Sequence, residues 1–331
     1  MIRKLDSSTP CFTKTAAGAI SIKAGAQVFV AGRLITFAAD TAAAIDTGAL
    51  AAGTDYALYV TAGGLVLFSA NFTAPTGYTA TSAVKVGGFH YANGGNAAAQ
   101  AGGDTTPAIN AYSIWDLKFR PVCVDPRGMA LVAGAFWADI YLLGTTPDVN
   151  GSSKFGATIA DGSSPPKIPA LFGGNGTTDY GAFKWWHALE VAYSVGKQLL
   201  SYADFCAAAY GTTEQTNVTG AADPVTTQRD TEHTSKWGLM QATGNMWSWG
   251  GGELLNPTTP TVGAWLSTGT GIDARGSMYI YGAEGIKMPL FGGSWGNGAV
   301  CGSRSVSWDY APSGSVGNIG ARFRCDHLVL P

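Results

Sequence analysis

Charge is what this 331-residue sequence has least of. Asp, Glu, Lys and Arg together make up 13%, about half of the roughly 25% of an ordinary globular chain. The signs nearly balance, with a formal net charge of −2. There is no Lys/Arg run or basic stripe, so no nucleic-acid partner is expected. No apolar run approaches the roughly 18 residues of a membrane helix, so no membrane insertion is expected either. The N-terminus, MIRKLDSSTPCFTKTAAGA, lacks an apolar stretch of signal-peptide length. The reading is a chain without a signal peptide, made in a cytoplasm and brought to any outer surface by assembly into a larger particle. Cysteine is sparse as well. Cys11, Cys123, Cys206, Cys301 and Cys325 are scattered and odd in number, with no CxxC. They exclude a disulfide framework and a zinc site as expectations and read as small buried hydrophobes.

What is present is apolar and turn-rich. Hydrophobic residues reach 46%, and glycine accounts for 46 positions, nearly twice the usual ~7%. That mixture argues against disorder. It suits a partly β protein, and an obligate oligomer that hides surface and so needs few charges.

Residues 1–90 read as a small β-rich domain serving attachment or oligomerisation. Ile20/Ile22 and Val28/Val30 alternate with period two. Tyr56–Thr61 and Leu65–Ser69 flank Gly63-Gly64 as a hairpin, and a further strand covers Ser82–His90. His90 stands alone and reads as structural. Residues 91–112, low in charge and rich in Gly, Ala and Thr, read as a linker or irregular loop. A second domain, 113–331, follows. Its Gly128–Gly144 run is strongly apolar, with a buried strand over Phe136–Leu143. A helix is expected over about Ala182–Val195, with Phe183, Trp186, Leu189, Ala192 and Tyr193 as its stripe. Another starts at Ser201 with Asp204 as capping partner and ends at Gly211. Residues 212–236 read as polar loop. Trp237, Trp247 and Trp249 read as core. The fold class expected is α+β.

Three segments carry a resemblance: WWHALEVAYSVGKQLLSYADFCAAAYG (185–211), SKWGLMQATGNMWSWGGGEL (235–254) and LFGGSWGNGAVCGSRSVSWDYAPSGSVGNIGARFRCDHL (290–328). In this order, over roughly residues 115–331, they resemble the C-type-lectin-fold variable proteins of diversity-generating retroelements. The last segment follows that family's L-F-G-G-x-W, G-S-R, W, P-S, G-x-R and C-D-H-L pattern without gaps. The resemblance implies a C-type-lectin-like C-terminal domain whose variable region lies at about 290–328. It also implies a homotrimer at a phage tail-fibre tip, and hence in the virion, that contacts a protein or glycan receptor on a bacterial surface. Carried over residue by residue, the variable, ligand-binding positions are Ser294, Gly296, Asn297, Gly298, Val300, Ser307, Asp309, Tyr310, Gly314, Val316, Gly317 and Ile319. Asn318 and Phe323 are held apart from the set. Such a mixture of small, polar and aromatic residues is paratope-like, with Tyr310 as anchor.

The family diversifies adenines, mostly in AAC codons. Randomising both adenines never yields Lys, Glu, Gln, Met or Trp. From Ser294 to Arg324 there is no Lys, Glu, Gln or Met, and the two tryptophans, Trp295 and Trp308, hold the family's fixed positions. These two are expected to face the core, with Arg304 and Arg322 as buried or half-buried pins for loop carbonyls.

Two other readings use the same segments. A bacterial surface-displayed variable protein would call for a leader segment, and none is legible. Formylglycine-generating enzymes share the segment order but use a cysteine pair. Here Cys301 lacks its companion, the position five residues before it being Gly296. No catalytic residues are therefore assigned, and no enzyme activity is expected. The calcium motifs of sugar-binding C-type lectins (E-P-N, Q-P-D, W-N-D) are absent, and Asp139, Asp148 and Asp161 are scattered. Neither a metal nor a cofactor is expected.

Overall fold

The computed structural model describes residues 2–218, 224–256, 263–280 and 285–330. Strands dominate and helices are few, so the α+β expectation gives way to a mostly β fold.

One large sheet runs through both halves of the chain. From one edge its order is Ala44–Ile45, Val66–Ser69, Thr54–Thr61, Ala83–Ala92, Trp115–Asp116, Phe119–Pro121, Phe323–Val329, Phe136–Asp139 and Met129–Val132. The strands expected near Tyr56–Thr61, Leu65–Ser69 and Ser82–His90 are therefore present, with boundaries moved by one or two residues. The register of Ala83–Ala92 against Thr54–Thr61 shifts between Lys85 and Gly87. Glycine is required at the next position: a Cβ on Gly88 would lie 2.7 Å from the Trp115 ring. The missing side chain lets the Trp115 indole lie across the strand.

Apolar packing divides near residue 115. One cluster gathers Ile2, Phe12, Ile22, Val28, Tyr56, Phe68, Phe89 and Ile114. Two further clusters draw mainly on residues from Ala130 to Phe323. A buried polar chain joins the halves. Asp55 Oδ1 meets His90 Nδ1 at 3.0 Å, and His90 Nε2 meets Tyr141 Oη at 3.1 Å. His90 is structural in this setting, as its isolation in sequence suggests.

Residues 91–112, read as a linker, are woven into this packing. Ala108–Ile109 pairs back onto Ala83–Ala92. Asn96 and Asn110 donate to the carbonyls of Lys236 and Trp237 at 3.3 and 2.9 Å. Composition alone reports low charge and flexibility there. It misses asparagines that satisfy distant backbone acceptors.

The second half adds a six-stranded sheet ordered Ala264–Ser267, Ser277–Ile280, Val306–Trp308, Leu290–Phe291, Trp247–Trp249 and Ile319–Gly320. Two helices back the core. Tyr202–Ala208 starts as expected: Ser201 Oγ accepts from Asp204 N–H at 3.1 Å, and Asp204 Oδ2 accepts from Ser201 N–H at 3.2 Å. Trp185–Ser194 departs from its expected stripe. It buries Ala188, Val191 and Ala192, while Trp186 and Tyr193 are 49% and 60% exposed. Phe183 is fully buried but precedes the helix, so a phase counted from it is wrong. Small residues on the true inner face let the helix pack closely.

Candidate functional site

The stretch 290–328 begins in the middle of the six-stranded sheet. Phe291 is fully buried and stacks on Phe205 of the Tyr202–Ala208 helix, with centroids 5.1 Å apart. Gly292 and Gly293 then take φ of +95° and +82°, a region costly for other residues. A Cβ on Gly293 would collide with Cys301 Sγ. The chain thus turns sharply out of the sheet over a buried thiol. Burial pushes that Cys301 thiol up to about 12, which leaves it protonated and a poor nucleophile.

From here the backbone forms three loops, held mainly by main-chain groups. Trp295 N–H donates to Asn245 O at 3.1 Å, and Met288 N–H to Tyr310 O at 2.9 Å. Trp185 N–H donates to Pro312 O, Gly162 N–H to Val316 O and Trp247 N–H to Asn318 O, all at 3.0–3.1 Å. Lys287 Nζ caps the Asp309 carbonyl at 3.0 Å. The carbonyls at 309, 310, 316 and 318 are anchored whatever side chain those residues carry. That is the property a substitutable surface needs.

The return strand is fixed from beneath. Arg322 is buried and donates to four carbonyls: Asp139 O and Ile140 O at 2.6 Å, Met240 O at 2.5 Å and Gln241 O at 3.2 Å. It is the pin expected from sequence. Arg304 is half-buried, as expected, but its guanidinium pairs with the carboxylate Asp273 Oδ1 at 2.9 Å in place of a loop carbonyl. The buried work nearby falls to Glu214, whose carboxylate accepts from Ser303 Oγ at 2.6 Å and Ser303 N–H at 2.9 Å. Glu214 was not singled out in the sequence because its partner lies 89 residues away. Trp295 and Trp308 are half-buried against the apolar clusters.

The twelve expected contact positions separate by burial. Gly296 is exposed, and Asn297, Gly298, Val300, Asp309, Tyr310, Gly314, Val316 and Gly317 are half-buried. Ser294, Ser307 and Ile319 are buried at 1%, 5% and 0% exposure. The Ser294 hydroxyl donates to Asn297 Oδ1 at 2.6 Å and accepts from Asn318 Nδ2 at 3.3 Å. Ser307 lies between Leu290 and Tyr279 in the sheet. Ile319 pairs with Trp247 and enters a core cluster. In this chain these three positions lie beneath the surface. Phe323 is wholly buried.

The half-buried positions include two local groups. Asn297 and Asn318 join through Ser294, and Gly314 lies against the Tyr310 ring. Tyr310 and Val316 pack on one cluster. Burial, and secondarily the neighbouring Asp309, raises the Tyr310 phenol above its ordinary value. It is a neutral aromatic with one face in the core. Beside this surface stands a hairpin that sequence reading passed over. Ser277–Ile280 pairs with Val306–Trp308, and Trp265 stacks on Trp247 at 6.3 Å and packs on Tyr279 at 4.9 Å. Trp265 is 39% exposed. Among the described residues no group of three or more His, Cys, Asp or Glu is placed to hold a metal ion. No helix among them is long and apolar enough to cross a membrane.

Comparison with known proteins bears on the whole chain. Residues 10–116 match the family described as the Mtd second domain. The tail fiber receptor-binding protein of Bordetella phage BPP-1 is 50% identical over 336 aligned residues, which span 99% of this chain and 84% of the relative. Among solved structures, the Major Tropism Determinant I1 variant superposes with a TM-score of 0.88 at 48% identity. It covers 99% of this chain and 86% of that one. The U1 variant gives 0.87 at 48% identity, with the same coverage.

Proposed function

The chain belongs to the major tropism determinant family of phage tail-fibre receptor-binding proteins, and we infer that it is a tail-fibre receptor-binding protein whose contact face is built from residues 296–317. The observation that carries the placement is the main-chain anchoring of the 309–318 loops, which holds their backbone without help from their own side chains. The relatives are receptor-binding proteins, and the reading here is binding without catalysis. The ligand is a protein or glycan exposed on a bacterial surface. The domain that bears the face is read as C-type-lectin-like, spanning 113–331 behind a β-rich unit at 1–90.

The contact set is narrowed to the exposed and half-buried positions: Gly296, Asn297, Gly298, Val300, Asp309, Tyr310, Gly314, Val316 and Gly317. Tyr310 is its anchor, since a rigid aromatic half-seated in a core gives contact area at low entropic cost. Retroelement diversification is supported by the residue usage between Ser294 and Arg324. A homotrimer is supported by the low charge content, and three copies would raise avidity for a weakly held receptor.

The test is adsorption of purified protein to a panel of bacterial strains. On a strain that binds, Tyr310→Ala is expected to weaken adsorption at least tenfold, since an anchoring tyrosine contributes about 2 kcal/mol or more. Thermal melting is followed alongside. Unchanged adsorption after substitution of Asp309, Tyr310 and Val316 together would show that the receptor is engaged elsewhere.

A further inference from the structure

Cys123 lies in a bend two residues past the Phe119–Pro121 strand, opposite Cys325 in the neighbouring Phe323–Val329 strand. Phe119–Pro121 runs antiparallel to Phe323–Val329, with Phe119 opposite Val329 and Pro121 opposite His327. Leu330 N–H donates to Lys118 O at 2.8 Å, and Val122 N–H donates to Asp326 O at 3.0 Å. Residues 118/330 and 122/326 are therefore hydrogen-bonded pairs, and carrying the alternation on past the last paired residues, Pro121 and His327, puts 123/325 in a non-hydrogen-bonded position. At such pairs the Cα atoms approach to about 4.5 Å and side chains on one face are closest. That separation lies within the roughly 4.4–6.8 Å that a disulfide spans. Both thiols enter one apolar cluster with Trp115, Phe119, Met129 and Trp137. Cys11 and Cys206 sit in other clusters, and Cys301 lies against Gly293.

We propose that Cys123 and Cys325 are a redox pair that closes into a single cross-strand disulfide when the protein meets an oxidising exterior. The surroundings suit the exchange. Cys325 is held below the ordinary thiol range by hydrogen bonds from the Cys123 thiol and backbone N–H, with the Lys197 ammonium assisting. Cys123 is raised by the same contact and by burial. Lys197 is itself buried and fixed by Asp139 Oδ1 at 2.6 Å and Ser152 Oγ at 2.8 Å. A cavity of about 310 Å³, lined by Val124, Asp125, Gly196 and Lys197 among others, lies next to the bend that carries Cys123, with neither cysteine in its lining.

The oxidant is a small soluble disulfide. The Cys325 thiolate attacks one of its sulfurs, the S–S bond breaks and a thiolate leaves, giving a mixed disulfide. Cys123 passes its proton to that thiolate and attacks Cys325 Sγ, expelling the second thiolate, which is protonated from solvent. Two protein thiols are oxidised and one small disulfide is reduced to two thiols.

The experiment treats the reduced full chain with 2-hydroxyethyl disulfide under native conditions. Thiols are then counted after denaturation, and peptides are mapped without reduction. The expected result is two thiols fewer than the five of the sequence and a peptide pair joining positions 123 and 325. A rise in melting temperature of roughly 5 °C, reversed by dithiothreitol, is expected with it. Cys11→Ala keeps the shift. Cys123→Ala and Cys325→Ala each abolish it, and either suffices if the other folds poorly. Five thiols after treatment, or a bridge through any other cysteine, overturns the proposal. Receptor binding is not a readout, so the result is independent of the contact-face assignment.

Discussion

Replacing Arg322 by leucine removes one charged group that serves four backbone acceptors. Ile140 O keeps a second donor, Met240 N–H at 2.8 Å. Asp139 O, Met240 O and Gln241 O each lose the guanidinium. A buried acceptor left unsatisfied costs about 1–3 kcal/mol, and three such losses sum to roughly 3–9 kcal/mol. Against this, the mutant no longer desolvates a guanidinium, an offset of several kcal/mol. The expected net loss is about 3–4 kcal/mol. That corresponds to a fall in melting temperature of roughly 5 °C. Urea unfolding of the purified protein measures it, with a shifted midpoint and an unchanged slope. Arg322→Lys should fall between, because an ammonium offers three donors in place of five. If Arg322→Leu stays within about 0.5 kcal/mol of the parent, well inside the cost of one orphaned acceptor, the four hydrogen bonds do no more than repay the burial of the charge. The pin would then not explain how the return strand is held.

Three further outcomes follow from buried groups. Ile319→Ala should cost about 2–4 kcal/mol in urea unfolding, as for a deleted core side chain, whereas a contact residue would change adsorption alone. Lys197→Met leaves the Asp139 carboxylate buried without its cation and should cost about 3–5 kcal/mol, while the double variant with Asp139→Leu recovers much of that loss; a double-mutant cycle reads the coupling. Burial raises the Glu214 carboxyl above its ordinary 4.5, so the folded state holds that proton to higher pH than the unfolded chain. Its contribution to stability is complete below 4.5 and is lost as pH rises through the folded value. Glu214→Gln should flatten that part of the stability–pH curve, and an unchanged slope would assign it to another group.

How far the sequence could be read depended on how local the deciding interaction is. The Thr54–Thr61 and Ala83–Ala92 strands and the Ser201–Asp204 cap were legible because alternation and capping act within a few residues. The segment order at 185–328 was legible through resemblance, and Arg322 was identified as a pin on that basis. The phase of the Trp185–Ser194 helix was misread because aromatic size was weighted above the small residues that the helix buries. The partners of Arg304 and Glu214 were not legible because Asp273 and Ser303 lie 31 and 89 residues away. Burial of Ser294, Ser307 and Ile319 was hidden for a related reason. A transferred pattern marks which positions vary, while solvent access depends on the sheet beneath them.

The Phe323–Val329 strand sits between Phe119–Pro121 and Phe136–Asp139, and its link to Trp137 crosses 190 residues. During synthesis those two neighbours must wait with open hydrogen-bonding edges until nearly two hundred more residues, the 309–318 loops included, have left the ribosome. Closure at such separation is slow, and open edges invite mispairing in the interval. A chain broken anywhere in those loops would lack the strand that completes the sheet. Assembly would then favour chains whose loops have been translated in full, whatever residues those loops present.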